Sequence, residues 1–106
     1  MTSAVYVFAE PPKTFSESFR GTGETFVFKL RPGGFQRYPW TGENNYFFRL
    51  TQESLIVGSG NGNFAIWIDS DFYKGRTMPC STFDNEQLSN QQDFTIKVLE
   101  CWAFEM

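Results

Sequence analysis

Apolar side chains in this chain recur at every second position over short runs, and no long run shows helical spacing. A period of two is the mark of a strand with one buried face. Residues 4–9 (AVYVFA) predict a first strand, β-branched and aromatic, ended by Pro11-Pro12. Residues 13–19 read as a polar loop anchored by Phe15 and Phe19. Residues 25–30 (TFVFKL) predict a strand with Phe26, Phe28 and Leu30 on one face and Lys29 on the other. Pro32-Gly33-Gly34 breaks it, and residues 35–40 form a short aromatic strand stopped at Pro39. Residues 45–50 predict a strand with Tyr46, Phe48 and Leu50 on one side, and residues 54–57 a further short one.

The chain is organised around residues 58–75 (GSGNGNFAIWIDSDFYKG). Gly58, Gly60 and Gly62 alternate, which allows left-handed backbone and close approach by a neighbouring segment. The run 64–68 (FAIWI) is too short for a buried helix and is bounded by turn residues, so it reads as a fully buried central strand. Residues 71–82 are irregular, and residues 85–88 predict one helical turn with Asp84 as its N-cap. From Phe94 onward alternation resumes through Ile96 and Val98. Continued, it sets Glu100 on the apolar face beside Trp102 and Phe104, so either Glu100 meets a buried donor or a bulge near Leu99 shifts the register.

Composition narrows the function classes. The length of 106 residues allows one domain, and 19% aromatic content with thirteen phenylalanines supplies much of its apolar volume. The net charge is −3, and the nine basic residues are scattered, so nothing tracks a phosphate backbone and nucleic acid is not an expected partner. No apolar run approaches the ~20 residues of a membrane span. Residues 1–4 lack a charged n-region and residues 5–9 are too short for an h-region; a cytoplasmic protein with Cys80 and Cys101 reduced is expected. Histidine is absent, which removes the commonest general base and metal ligand.

The remaining motifs favour structure over chemistry. Gly58-x-Gly60-x-x-Asn63 lacks the third glycine of a dinucleotide loop, has no Gly-Lys-Ser/Thr ending, and feeds a strand, not a helix N-terminus. Asp69 and Asp71 share a face of an extended chain, where paired carboxylates can hold a cation or share a proton. Phe72 and Tyr73 follow where further oxygen ligands would fall, and the pair reads as a turn former. Cys80 has no activating base in view, and a packed thiol is expected there, with redox sensing as the alternative. Glu24 and Glu100 lie next to apolar strands, placed to cap backbone amides or to pair with an arginine such as Arg20.

Five ordered blocks carry a resemblance. Residues 19–28 (FRGTGETFVF) resemble the GTGETF segment of the TLDc domain, and residues 40–47 (WTGENNYF) its next block. Residues 58–71 resemble the block of glycines, apolar strand, tryptophan and aspartate; residues 80–89 (CSTFDNEQLS) resemble its CxTFxNxxLS block; residues 93–102 (DFTIKVLECW) resemble its closing block. The resemblance implies a mainly β fold, a sandwich of two antiparallel sheets with a few short helical turns. A full TLDc domain begins with a helical region and further strands that here are reduced to residues 4–9, so residues 1–106 resemble the larger C-terminal part, a single N-terminally incomplete domain.

The resemblance also implies no enzyme activity, no cofactor and no metal. It implies a protein-binding module linked to oxidative-stress resistance and to the vacuolar proton ATPase, or a structural part of a microtubule assembly in cilia. It carries over no catalytic residue. Gly21, Gly23, Glu24, Asp69, Asp71, Gly75 and Glu100 are therefore expected as fold-critical or interface positions, with Cys80 as the redox candidate. A hydrolase built on Asp69 and Asp71 is the remotest alternative.

Overall fold

The structure is a computed structural model of the chain, and it describes residues 6–8, 15–31, 33–60, 62–89 and 91–96. Two antiparallel sheets make the fold. The first holds β1 (Tyr6–Phe8), β2 (Phe26–Arg31) and β3 (Gly34–Pro39) in that order. The second holds β4 (Phe48–Leu50), β5 (Ser54–Val57), β6 (Ile66–Asp69), β7 (Lys74–Arg76) and β8 (Asp93–Thr95). Beyond β4 the edge is continued by an antiparallel bridge between Arg20 and Phe48, which exchange backbone hydrogen bonds of 2.8 and 3.0 Å.

Turn chemistry closes the hairpins. Between β4 and β5 the Thr51 hydroxyl accepts the amides of Glu53 and Ser54, each at 3.2 Å. Between β6 and β7 one carboxylate oxygen of Asp69 accepts the amides of Tyr73 at 2.9 Å and Lys74 at 3.2 Å. Phe72 sits in this turn with φ +55°, a conformation these bonds hold in place.

The core lies between the sheets. Val27 of β2 meets Phe48, Val57, Ile66 and Ile68 of the larger sheet, with Phe47, Ala65, Cys80, Phe83 and Leu88 added from connections. The face of β2 that enters the core is the one opposite Phe26, Phe28 and Leu30. Val27 is fully buried, whereas Leu30 is 60% exposed and Phe26 and Phe28 are half-buried on the outer side. The alternation identified which residues share a face; the direction of that face is set by the other sheet. Lys29 points inward with Val27, where Glu86 at 3.0 Å and the Gln87 carbonyl at 3.2 Å receive its ammonium.

On the outer side of the small sheet, Tyr6 and Phe28 stack with centroids 4.8 Å apart, Phe35 meets Phe28 edge-on, and the Arg37 guanidinium lies 4.3 Å above the Phe26 ring.

Three expectations are corrected. Tyr46 is 45% exposed and precedes the strand, because Asn44 and Asn45 hold residues 46–47 in a turn. Strand β6 is central but not buried on both faces: Ile66 and Ile68 enter the core, and Trp67 is half-buried on the other side. Register places Trp67 in a row with Arg49, Ile56, Arg76 and Asp93 across all five strands of that outer face. No helix forms at residues 85–88. The turn falls at residues 81–84 instead, where the Asp84 amide reaches the Cys80 carbonyl at 2.9 Å and Asp84 adopts φ +48°. Asn85 spends its side chain on backbone groups of Met78, Cys80 and Glu86, which competes with helical bonding.

Candidate functional site

The densest polar constellation lies where the glycine loop leaving β5 meets residues 80–83. Gly58 has φ +73°, and a Cβ there would sit 2.8 Å from the Cys80 sulfur and 2.9 Å from the Phe83 ring. A Cβ at Gly60 would collide with the Ser81 hydroxyl. The loop therefore lies flat on this segment, as only glycine permits. Its backbone is stitched down by Thr82, which is fully buried. The Thr82 hydroxyl accepts the Ser59 amide at 3.0 Å and lies 2.7 Å from the Ser59 carbonyl and 2.6 Å from Asn44 Oδ1. Asn44 in turn donates to the Ser81 hydroxyl at 3.1 Å and accepts the Tyr46 amide at 3.1 Å. Thr41 donates to the Ser81 carbonyl at 2.7 Å, and Trp40 Nε1 donates to the Asn44 carbonyl at 2.6 Å.

Cys80 lies under this junction, buried, with its thiol 3.4 Å from Asn85 Oδ1 and its amide donating to the same oxygen. Burial pushes the thiol pKa up, and the polar groups around it offset only part of that shift. A raised pKa keeps the sulfur protonated near neutrality, the unreactive form. Among the described residues, no three His, Cys, Asp or Glu side chains come together as a metal site. The arrangement can hold a loop rigid; it offers no general base beside a nucleophile.

Two surface features stand apart from the junction. One is the aromatic outer face of β1–β2–β3, with Leu30 and Phe35 both largely exposed. The other is an open hollow of about 680 Å³ on the outer side of the larger sheet, lined by Trp67, Phe64, Met78, Lys74, Arg76 and Asp93 among others. Arg76 Nε donates to Asp93 Oδ1 across β7 and β8.

Comparison with known proteins decides the family. The TLDc domain model matches residues 4–105. The chain belongs to the TLDc domain family. It is 47% identical over 97 residues to human oxidation resistance protein 1, a match covering 92% of this chain and 11% of that protein. It is 45% identical over 98 residues to mouse nuclear receptor coactivator 7, covering 92% of this chain and 10% of that protein. The oxidation resistance protein 1 of Xenopus laevis matches at 45% over 97 residues. The chain thus spans about a tenth of the length of these relatives.

The TLDc blocks meet in space at the junction: residues 40–47, 58–71 and 80–89 are joined there through Asn44, Ser59 and Thr82. The other expected positions are dispersed. Gly21 and Gly23 lie beside rings, where a Cβ would come 2.7 Å from Phe47 and 2.5 Å from Trp40; Gly75 faces the Phe94 ring in the same way. Glu24 is exposed in the turn before β2, its amide donating to the Thr22 hydroxyl, with no ion pair to Arg20. Asp69 caps the β6–β7 turn and Asp71 is exposed within it, so the two carboxylates do different things. Glu100, the bulge near Leu99 and Cys101 lie outside the described residues. Asn44, Thr82 and Asn85 were not singled out by their chemistry in the sequence. The available clue was an uncharged polar run, Ser81-Thr82, flanked by Cys80 and Phe83 and followed by Asn85, which suits buried hydrogen bonding.

Proposed function

We propose that this TLDc domain is a non-enzymatic, cytoplasmic docking module that contributes to resistance against oxidative stress through a protein partner, the vacuolar proton ATPase. The observation that carries the reading is the outer face of the small sheet, where Leu30 and Phe35 are 60% and 62% exposed beside half-buried Phe26, Phe28 and Tyr6. A contiguous ring-rich face of this kind is characteristic of an interaction surface. The names of the oxidation resistance relatives support the stress role, and the rigid junction supports a scaffold over a reactive centre.

The test is co-sedimentation of the purified chain with purified vacuolar proton ATPase. The wild type is expected to co-sediment, and Phe35→Glu to lose most of that binding while keeping its melting temperature. Absence of binding by the wild type, or unchanged binding by Phe35→Glu, overturns this assignment. The same exposed rings favour one alternative, permanent incorporation in a microtubule-based assembly. That alternative predicts self-association of the isolated chain, and a monodisperse monomer in analytical ultracentrifugation excludes it.

A further inference from the structure

The hollow on the larger sheet brings aromatic and cationic side chains together. Half-buried Trp67 of β6 lines it, with Phe64 and Met78 adding apolar surface. Lys74 and Arg76 stand on the same side of β7, two residues apart, a spacing of about 6.5 Å along a strand. Lys74 is exposed and makes no ion pair among the described residues. Arg76 donates to Asp93 through its Nε, and its terminal N–H groups make no hydrogen bond among the described residues. Asp93 is the one acidic residue among the described residues of the lining. The described lining sets Lys74 and Arg76 against Asp93, a surplus of one positive charge on a chain whose net charge is −3. Tryptophan, methionine, phenylalanine and arginine are also the residue types concentrated at the buried centres of protein interfaces.

We infer that the hollow over Trp67 docks an acidic, extended peptide segment of a partner protein, seating an apolar side chain against Trp67, Phe64 and Met78 and setting carboxylates against Lys74 and Arg76. The inference rests on the docking reading above and assigns it a second surface. Charge complementarity selects the occupant: opposite sign draws an acidic segment in, and the apolar floor gives it a side chain to bury. An inorganic anion or a flat lipid surface would use the two cations and leave the floor unused.

The experiment is fluorescence anisotropy with the full chain and a labelled, capped peptide of alternating glutamate and leucine at low salt. Saturable binding is expected, weakening as salt is raised and weakening by about tenfold in the Lys74→Gln, Arg76→Gln double variant. A matching peptide with glutamine in place of glutamate is expected to bind no better than the double variant binds the acidic one. Lys74→Gln alone, at an exposed position, serves if loss of the Arg76–Asp93 pair lowers the melting temperature. No saturable binding, equal binding by the variants, or equal binding of the glutamine peptide overturns the inference. Full displacement of the peptide by inorganic phosphate or by phosphatidylserine vesicles also overturns it, reassigning the cations to phosphate or lipid. Co-sedimentation with the ATPase that survives both substitutions removes this surface while leaving the docking function intact. Peptide binding without ATPase capture does the reverse.

Discussion

Replacing Thr82 by valine keeps the side-chain shape and deletes one hydroxyl from the middle of the junction. The deletion strands the Ser59 amide, which donates to the Thr82 hydroxyl at 3.0 Å, and removes a neighbour from the Ser59 carbonyl and from Asn44 Oδ1. Asn44 Oδ1 keeps the Tyr46 amide, so its loss is partial. A buried donor left without a partner costs about 1–3 kcal/mol. Adding a smaller penalty for the weakened carbonyl and amide oxygens gives roughly 2–3 kcal/mol. Against a total stability of about 5–15 kcal/mol, that is a large share. In a chain of this size it lowers Tm by about 10–20 °C. Urea unfolding followed by tryptophan fluorescence reads the effect as a midpoint about 1–2 M lower at an unchanged slope. Thr82→Ser keeps the hydroxyl and loses one methyl, so it should cost about 1 kcal/mol. If Thr82→Val unfolds within about 0.5 kcal/mol of wild type, or if serine is as damaging as valine, the hydroxyl is not what fastens the loop.

Other expectations follow from the same geometry. Gly58→Ala forces a Cβ against Cys80 and Phe83 at a positive φ, and should lose about 2–4 kcal/mol by the same urea assay. The raised pKa of Cys80 means that the native state holds its proton more tightly than the unfolded chain. Its contribution is therefore fully present below the unfolded thiol pKa of about 8.5 and is lost as pH rises above it; wild type should show a steeper alkaline decline in urea midpoint than Cys80→Ala. At neutral pH, mass spectrometry after mild peroxide should find Cys80 unmodified in the folded protein and modified in urea. Lys29→Met removes the ion pair with Glu86 and the bond to the Gln87 carbonyl, and should cost about 1 kcal/mol in a thermal melt.

Strand positions were legible because alternation and turn residues are local properties. Phe26 to Leu30, Ser54 to Val57 and Ile66 to Asp69 all announce themselves in this way. The direction of β2 was not legible. Phe26, Phe28 and Leu30 outweigh Val27 in apolar area, yet it is Val27 that joins the core cluster with Phe48 and residues of the second sheet, a partner no local pattern names. The outward direction of Trp67 was hidden for a different reason: an unbroken apolar run conceals which of its members looks outward. The turn role of Asp69 was readable from its place at the exit of an apolar strand, whereas the function of Thr82 depends on Asn44 and Ser59, which arrive from 38 and 23 residues away.

Every described strand pairs with the one next to it in the chain, in both sheets, with no crossover. Sandwiches generally pay a heavy loop-closure entropy early, because their pairings join distant segments. Here β4 to β7 can zip together hairpin by hairpin, and β8 joins β7 after the connection through residues 77–92. The long-range contacts that join Thr41 and Asn44 to Ser81 and Thr82 need form only once those hairpins exist. Such an order suits a chain emerging from the ribosome, since few exposed strand edges wait for a distant mate.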